Sequence, residues 1–142
     1  PDGSIAIYRK PNRRHTVESE FDISDITALP RVDIVPSYAG ADGTAVEALI
    51  AVGAKALVMA TLAPGLPTPP QVEAVEAALK QGVLVIYSTR AGSGRVLRRA
   101  SMKRDGIVSA DNLNPQKARV LAMLALTRTD DPEELQRMFD TY

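Results

Sequence analysis

The sequence predicts an α/β protein, a small three-layer sandwich of about four parallel strands flanked by helices. Short, fully apolar runs alternate along the chain with segments whose apolar residues recur at helical spacing. The apolar runs lack the polar alternation of half-exposed strands, which is typical of strands buried on both faces. Several of the helical segments also carry a start or stop signal in proline, asparagine, aspartate or glycine.

The elements follow in order from residue 32. Residues 32–35 are β-branched or apolar apart from one aspartate and predict the first strand. Residues 44–52 predict a helix, since Val46, Leu49 and Ile50 share one face and Gly53 can end it. Residues 56–59 predict the second strand.

The second half repeats this alternation. Residues 71–81 predict a helix between Pro69-Pro70 and Gly82, and residues 83–87 predict the third strand. Residues 107–108 predict a fourth strand, from a weaker signal than the first three. Asn114-Pro115 begins a helix to residue 126, and Asp131-Pro132 begins the last one, with acidic residues in its first turn.

The segment before residue 32 has a different character. Residues 4–8 predict a short strand, and residues 16–31 predict a connector that lies along a surface and closes at Pro30. Its sizeable anchors are Phe21, Ile23, Ile26 and Leu29.

Composition removes several classes of function. Cysteine is absent, so disulfides and thiolate metal sites are excluded. A single histidine, His15, cannot build a multi-histidine metal site, and we expect neither metal nor cofactor. Seventeen basic residues balance seventeen acidic ones, which gives no reason to expect a nucleic-acid partner. No apolar run approaches the ~20 residues of a membrane span.

Three loops lie at the carboxyl ends of the predicted strands, where parallel sheets bind ligands. In residues 36–42, Ser37 and Asp42 are read as a strand exit and helix cap rather than as a site. In residues 60–70, Thr61 and Thr68 carry the only hydroxyls, which makes acid–base chemistry there unpromising. His15 could be paired with Ser4 or Asp22 in a relay, but no nucleophile motif supports it.

The third loop, residues 88–105, is strongly basic. It holds one acid, Asp105, against Arg90, Arg95, Arg98, Arg99, Lys103 and Arg104. Residues 91–94 (Ala-Gly-Ser-Gly) weakly resemble a phosphate-binding turn, but Leu97 stands where a third glycine would fall. A solvated or partner-facing loop is favoured, and recognition of an anionic substrate group by arginine stays open.

Longer strings point to a family. Residues 112–127 (Asn-Leu-Asn-Pro-Gln-Lys-Ala-Arg-Val-Leu-Ala-Met-Leu-Ala-Leu-Thr) and 131–142 resemble the last two helices of the bacterial L-asparaginase and glutaminase-asparaginase family, type II-like. Lys10-Pro, His15-Thr16, Phe21-Asp22 and Leu29-Pro30 resemble its interdomain connector. The resemblance covers the whole chain and identifies the family's carboxy-terminal domain.

This resemblance implies a division of the chain into residues 1–11, the tail of an amino-terminal domain, residues 12–31, the interdomain linker, and residues 32–142, the carboxy-terminal domain. It implies a hydrolase that converts asparagine- or glutamine-type side-chain amides to acid and ammonia, acting as a homo-oligomer, a tetramer in the family. The type II likeness leans towards a periplasmic rather than a cytoplasmic location. The family's nucleophilic threonine motifs, Gly-Gly-Thr-Ile and His-Gly-Thr-Asp-Thr, do not occur here. We therefore expect no catalytic residue in this chain, and no activity when it stands alone.

The resemblance also implies two substrate-binding positions that complete a neighbouring subunit's site. The family's polar residue in a Gly-x-Gly-Asn-Gly loop corresponds to Pro64, and its glutamate near the substrate's amino group corresponds to Ser101. Both groups expected to hold an α-ammonium are therefore replaced. Two hypotheses follow: a domain of an asparaginase-like amidohydrolase with altered recognition, or a non-catalytic α/β ligand- or partner-binding module on the same fold.

Overall fold

A computed structural model describes residues 12–142. The predicted strand at residues 4–8 and the tail at residues 1–11 lie outside this described part. Within residues 12–142, no helix is long and apolar enough to cross a membrane.

The predicted four-stranded parallel sheet is confirmed. Its strands pair in the order β1-β2-β3-β4, all parallel. They are β1 (Val32–Pro36), β2 (Ala56–Thr61), β3 (Leu84–Thr89) and β4 (Val108–Ser109). Every residue of β2 and β3 is buried, which explains why their sequences are continuous apolar runs.

Successive side chains along a strand point to opposite faces of the sheet, and two separate cores result. One core contains Val58 and Ile86, together with the inner sides of the last two helices. The other contains Leu57, Met59 and Val85, together with the earlier helices. The predicted three-layer sandwich is therefore confirmed.

The helices cover both faces. They are α1 (Thr44–Ala51), α2 (Pro69–Lys80), α3 (Ala100–Arg104), α4 (Pro115–Ala125) and α5 (Pro132–Thr141). Side chains accept backbone N–H groups at three helix starts: Thr68 at α2, Asn114 at α4 and Asp131 at α5. These caps satisfy donors that a helix start leaves unpaired. The predicted starts of α4 and α5 are confirmed.

Several boundaries and anchors differ from the sequence expectations. Helix α2 begins at Pro69, because both prolines fit the first turn, where no intrahelical N–H is needed. The fourth strand is shifted by one residue to Val108–Ser109. The basic loop is not wholly a loop, since its last part forms α3, which is held to the core by the buried Met102.

The connector is anchored at fewer points than expected. The ring of Phe21 packs on Tyr142 with ring centroids 5.0 Å apart. Arg137 on α5 donates to the Glu20 carboxylate at 2.5 Å, which adds a polar tie. Ile23 and Leu29 were expected to be anchors but are 57% and 41% exposed. Of the anchors named here, Phe21 and Glu20 thus hold the connector to α5.

Candidate functional site

Buried hydroxyl groups mark the carboxyl ends of the first three strands. Ser37, Thr61 and Ser88 are fully buried. The Thr61 hydroxyl donates to the Ser88 carbonyl oxygen, and the Ser88 hydroxyl donates to the Leu113 carbonyl oxygen, both at 2.7 Å. A nucleophilic hydroxyl needs a base within hydrogen-bond reach. Within residues 12–142, none of these three hydroxyls bonds to an imidazole, carboxylate or amine.

Gln71 joins the first strand to helix α2. Its side-chain oxygen accepts the Ser37 hydroxyl at 2.7 Å, and its amide nitrogen donates to the Pro36 carbonyl at 3.1 Å. The same oxygen accepts the Thr68 backbone N–H at 3.3 Å and completes a capping box. The spacing of apolar residues in the sequence did not predict these hydrogen bonds, because it identifies Gln71 only as the first residue of a predicted helix.

The other hydroxyl and carboxylate candidates serve local turns. Asp42 accepts the Thr44 backbone N–H at 3.0 Å, and this bond lowers the pKa of the Asp42 carboxyl. The Thr68 hydroxyl donates to the Ala41 carbonyl at 2.6 Å. His15 is exposed and lies 3.2 Å from the Thr16 hydroxyl, whereas Asp22 bonds Ser24. The structure brings none of these groups together in a relay.

Asp111, which the sequence reasoning missed, is the most constrained charged group at this edge. It lies just beyond β4, and its side chain is 11% exposed and paired with the guanidinium groups of Arg13 and Arg95. Burial opposes ionisation, but hydrogen bonds from Arg95 and Arg13 outweigh it and hold the pKa of Asp111 below its usual value. Through these two ion pairs, Arg13 ties the connector and Arg95 ties the basic loop to the carboxyl end of the sheet.

The basic loop is largely held by bonds within the domain. Arg90 donates to the Ser37 carbonyl at 2.7 Å. Arg98 makes a two-pronged bond to Glu133 in the first turn of α5, at 2.6 and 3.0 Å. Arg90, Arg95 and Arg98 therefore bond within the chain, although the side chain of Arg95 is still 65% exposed. That the loop also faces a partner stays a prediction.

The loops that carry Pro64 and Ser101 lie against each other. Arg99 donates to the Pro64 carbonyl oxygen at 2.8 Å. Gly65 has a φ of +98°, and a Cβ there would lie 2.8 Å from a methyl of Val96, so glycine is needed for this close packing. Ser101 is exposed in the first turn of α3. The structure thus brings the two segments together, although no contact joins the two side chains.

Two further depressions flank this edge. A small polar one of about 250 Å³ lies between the 91–94 turn and the start of α4, with Asn114 and Lys117 in its wall. A larger apolar groove of about 580 Å³ runs between the connector and α4, where Val120 is 53% exposed and Leu124 is partly buried. Met138 is buried in the core, whereas Val120 faces outwards.

Residues 12–142 contain no group of three or more His, Asp or Glu side chains placed to hold a metal ion.

Comparison with known families and structures gives a consistent result. The family described as Glutaminase/Asparaginase C-terminal domain matches residues 31–139. A glutaminase-asparaginase from Pseudomonas fluorescens biotype A is 46% identical over an alignment of 145 positions, which covers 99% of this chain and 40% of that protein. L-asparaginase 2 of Escherichia coli strain K12 is 37% identical over 143 residues, covering 99% of this chain and 41% of that protein.

The fold comparison agrees. A crystal structure of a probable cytoplasmic L-asparaginase from Campylobacter jejuni superposes with a TM-score of 0.95 at 40% sequence identity. It covers 100% of this chain and 47% of that chain. The chain spans about 40% of the length of the curated relatives it matches.

Replacing Asp111 by asparagine should destabilise the chain in a pH-dependent way. Asparagine tolerates the left-handed backbone at this position, where φ is +51°, so the substitution removes mainly the charge. The pKa of Asp111 is lower in the folded chain than in the unfolded chain, where it is about 4. The carboxylate therefore stabilises the fold above about pH 4. This stabilisation is lost as the pH falls through the folded-state pKa. We expect urea unfolding at pH 7 to show that the free energy of unfolding falls by about 1–3 kcal/mol, and that this difference shrinks below about pH 4.

The matched control is Asp25→Asn, an exposed position in the connector, which should change stability by less than about 0.5 kcal/mol. A pH-independent loss for Asp111→Asn, or an equal loss for the control, would contradict the ion-pair assignment.

Proposed function

The chain belongs to the glutaminase/asparaginase family as its carboxy-terminal domain, and from this we propose that it completes the active site of an asparaginase-like amidohydrolase across a subunit interface. The complete enzyme would hydrolyse a side-chain amide to an acid and ammonia. Residues 32–142 would form the carboxy-terminal domain, residues 12–31 the interdomain linker and residues 1–11 the tail of the amino-terminal domain. The observation that carries the proposal is the family match over residues 31–139.

The chemistry of the described residues supports the division of labour. An amide is cleaved through an activated hydroxyl only where a base lies beside it. The buried hydroxyls of Ser37, Thr61 and Ser88 each donate to a side-chain amide or a backbone carbonyl instead. Under the proposal, the nucleophilic threonine therefore comes from an amino-terminal domain, and this chain supplies shape and substrate contacts.

A surface suited to such a partner lies beside the connector. The apolar groove between the connector and α4 exposes Val120 and Leu124, and Arg14 and Lys117 lie among its lining residues. Exposed apolar residues rimmed by charged ones are a feature of many protein interfaces. We assign it to packing with the amino-terminal domain or a neighbouring subunit of a homo-oligomer.

The substrate positions set the proposed specificity. Pro64 offers no side-chain hydrogen bond, and Ser101 carries no charge, so neither can hold an α-ammonium as an amide and a carboxylate would. Arg99, bonded to the Pro64 carbonyl, adds a cation close by. We therefore propose weak recognition of free asparagine and better recognition of an amide that lacks the α-ammonium.

The 142-residue chain alone should release no ammonia from asparagine or glutamine. No activated hydroxyl is present among its described residues, and the family's threonine motifs are absent from its sequence. The measurement is coupled ammonia detection, with a heat-killed sample as the blank and the Pseudomonas fluorescens glutaminase-asparaginase as the positive control. Release above the blank by the pure chain would contradict the proposal.

The paired change Pro64→Asn with Ser101→Glu should improve asparagine use by the complete gene product. One charge-assisted hydrogen bond is worth about 1.5–3 kcal/mol, so KM for asparagine should fall roughly ten- to a hundredfold. Succinamate, which is asparagine without its α-amino group, should gain nothing. The readout is KM and kcat for both substrates.

Ser93→Glu is the matched control, because it adds the same charge to an exposed position of the neighbouring 91–94 turn. It should leave KM for asparagine unchanged. The assignment of Pro64 and Ser101 as substrate positions fails if the paired change leaves KM for asparagine unaltered. It also fails if the unsubstituted enzyme already has a micromolar KM for asparagine.

A further inference from the structure

The segment that carries Pro64, residues 62–66, is a closed turn and is named the Pro64 loop. The backbone N–H groups of Gly65 and Leu66 both donate to the Leu62 carbonyl oxygen, at 2.6 and 3.1 Å. These bonds close the turn but leave the position of its tip to contacts outside it.

Val96 is the buried residue on which this tip rests. A Cβ at Gly65 would lie 2.8 Å from one Val96 methyl and 3.0 Å from the other, and Val96 is 1% exposed. The bond from Arg99 to the Pro64 carbonyl is a second contact, but it lies at the exposed side. Because atoms packed this closely cannot move independently, a shift of Val96 would displace the Pro64 loop.

The backbone of Val96 is held on both sides by residues at the end of β4. Its N–H donates to the Asp111 carbonyl oxygen at 2.9 Å, and its own carbonyl accepts the Ser109 hydroxyl. The Asp111 N–H donates to the same Ser109 oxygen at 3.2 Å, which closes the group. The position of Val96 therefore depends on the position of the Asp111 backbone.

The Asp111 side chain fixes that backbone in turn. Its carboxylate accepts hydrogen bonds from Arg95, the residue directly before Val96, and from Arg13 in the connector. Asp111 has a φ of +51°, a left-handed conformation that a residue other than glycine keeps only where its surroundings hold it. The two arginines provide that hold.

We propose that Asp111 is a positioning residue for substrate binding, because through Arg95 and Val96 it sets where the Pro64 loop lies. This inference rests on the proposed function, since it takes the Pro64 loop as a segment that contacts the substrate. Asp111 acts only through its neighbours and does not itself contact the substrate. Because Arg13 belongs to the connector, the same carboxylate also links the position of the loop to that of the connector.

Amide hydrogen exchange on the 142-residue chain tests the geometry without any activity. In Asp111→Asn, the amides of Gly65 and Leu66 should exchange at least about fivefold faster, the effect of losing one hydrogen bond. These two amides report local opening of the loop, whereas the buried amides of β2 report global unfolding. A residue that only stabilises the fold would speed exchange in β2 and leave the loop amides unchanged.

Three substitutions of arginine assign the effect to the ion pair. Arg95→Gln should speed exchange in the loop as Asp111→Asn does, and the double variant should add little, because both changes break one interaction. Arg95→Lys retains a cation beside the carboxylate and should restore most of the protection. The matched control is Arg104→Gln, which removes a cation of the same basic loop that pairs with Asp105, and it should leave the loop amides unchanged.

The complete gene product provides the kinetic readout. Asp111→Asn and Arg95→Gln should raise KM for succinamate roughly three- to tenfold while kcat stays within about twofold, because a displaced loop weakens binding of the substrate and the transition state alike. A loss of folded enzyme alone would lower the apparent kcat and leave KM unchanged. Arg104→Gln should change neither value.

Two results would overturn the proposal. The first is exchange of the Gly65 and Leu66 amides at the unsubstituted rate in both Asp111→Asn and Arg95→Gln. The second is a KM that stays unchanged in an active enzyme carrying either substitution. A complete gene product that hydrolyses no amide would instead contradict the proposed function, and the exchange comparison would still decide whether Asp111 positions the Pro64 loop.

Discussion

The burial of the parallel sheet on both faces is the constraint from which the rest of the structure follows. Strands β2 and β3 have no exposed residue, so the polar groups at their ends must find partners inside the protein. The hydroxyls of Thr61 and Ser88 donate to backbone carbonyls, and Gln71 and Gln136 tie the helices to the strand ends. Polar groups used in this way are not free to act on a substrate.

Within residues 12–142, the hydroxyls at the carboxyl ends of the strands are therefore engaged in the fold itself. Asp111, at the same edge, is likewise engaged within the fold, because it pairs with Arg13 and Arg95. Glu133, in the first turn of α5, pairs with Arg98. The chain matches the carboxy-terminal part of proteins more than twice its length.

The sequence predicted the elements whose signals are local and missed those that depend on distant partners. Helices α4 and α5 were predictable because a cap, a proline and an apolar stripe coincide in each. Helix α3 was missed, since five residues with one buried methionine carry no readable period. The clamp on Asp111 joins residues 98 and 16 positions apart, so no spacing rule finds it. For the same reason, the positions of Pro64 and Ser101 came from a family resemblance and not from chemistry in the sequence.

The central claim is that this domain completes a site in a neighbouring subunit, and subunit mixing tests it most directly. One variant of the complete enzyme would lose its nucleophilic threonine to alanine, and the other would carry Ser101→Trp as a block. Each alone should be nearly inactive on succinamate. Mixed oligomers, formed by dissociation and reassociation, should regain activity, because some sites combine an intact threonine with an intact Ser101. Activity that stays at the sum of the two separate variants would contradict a site shared between subunits.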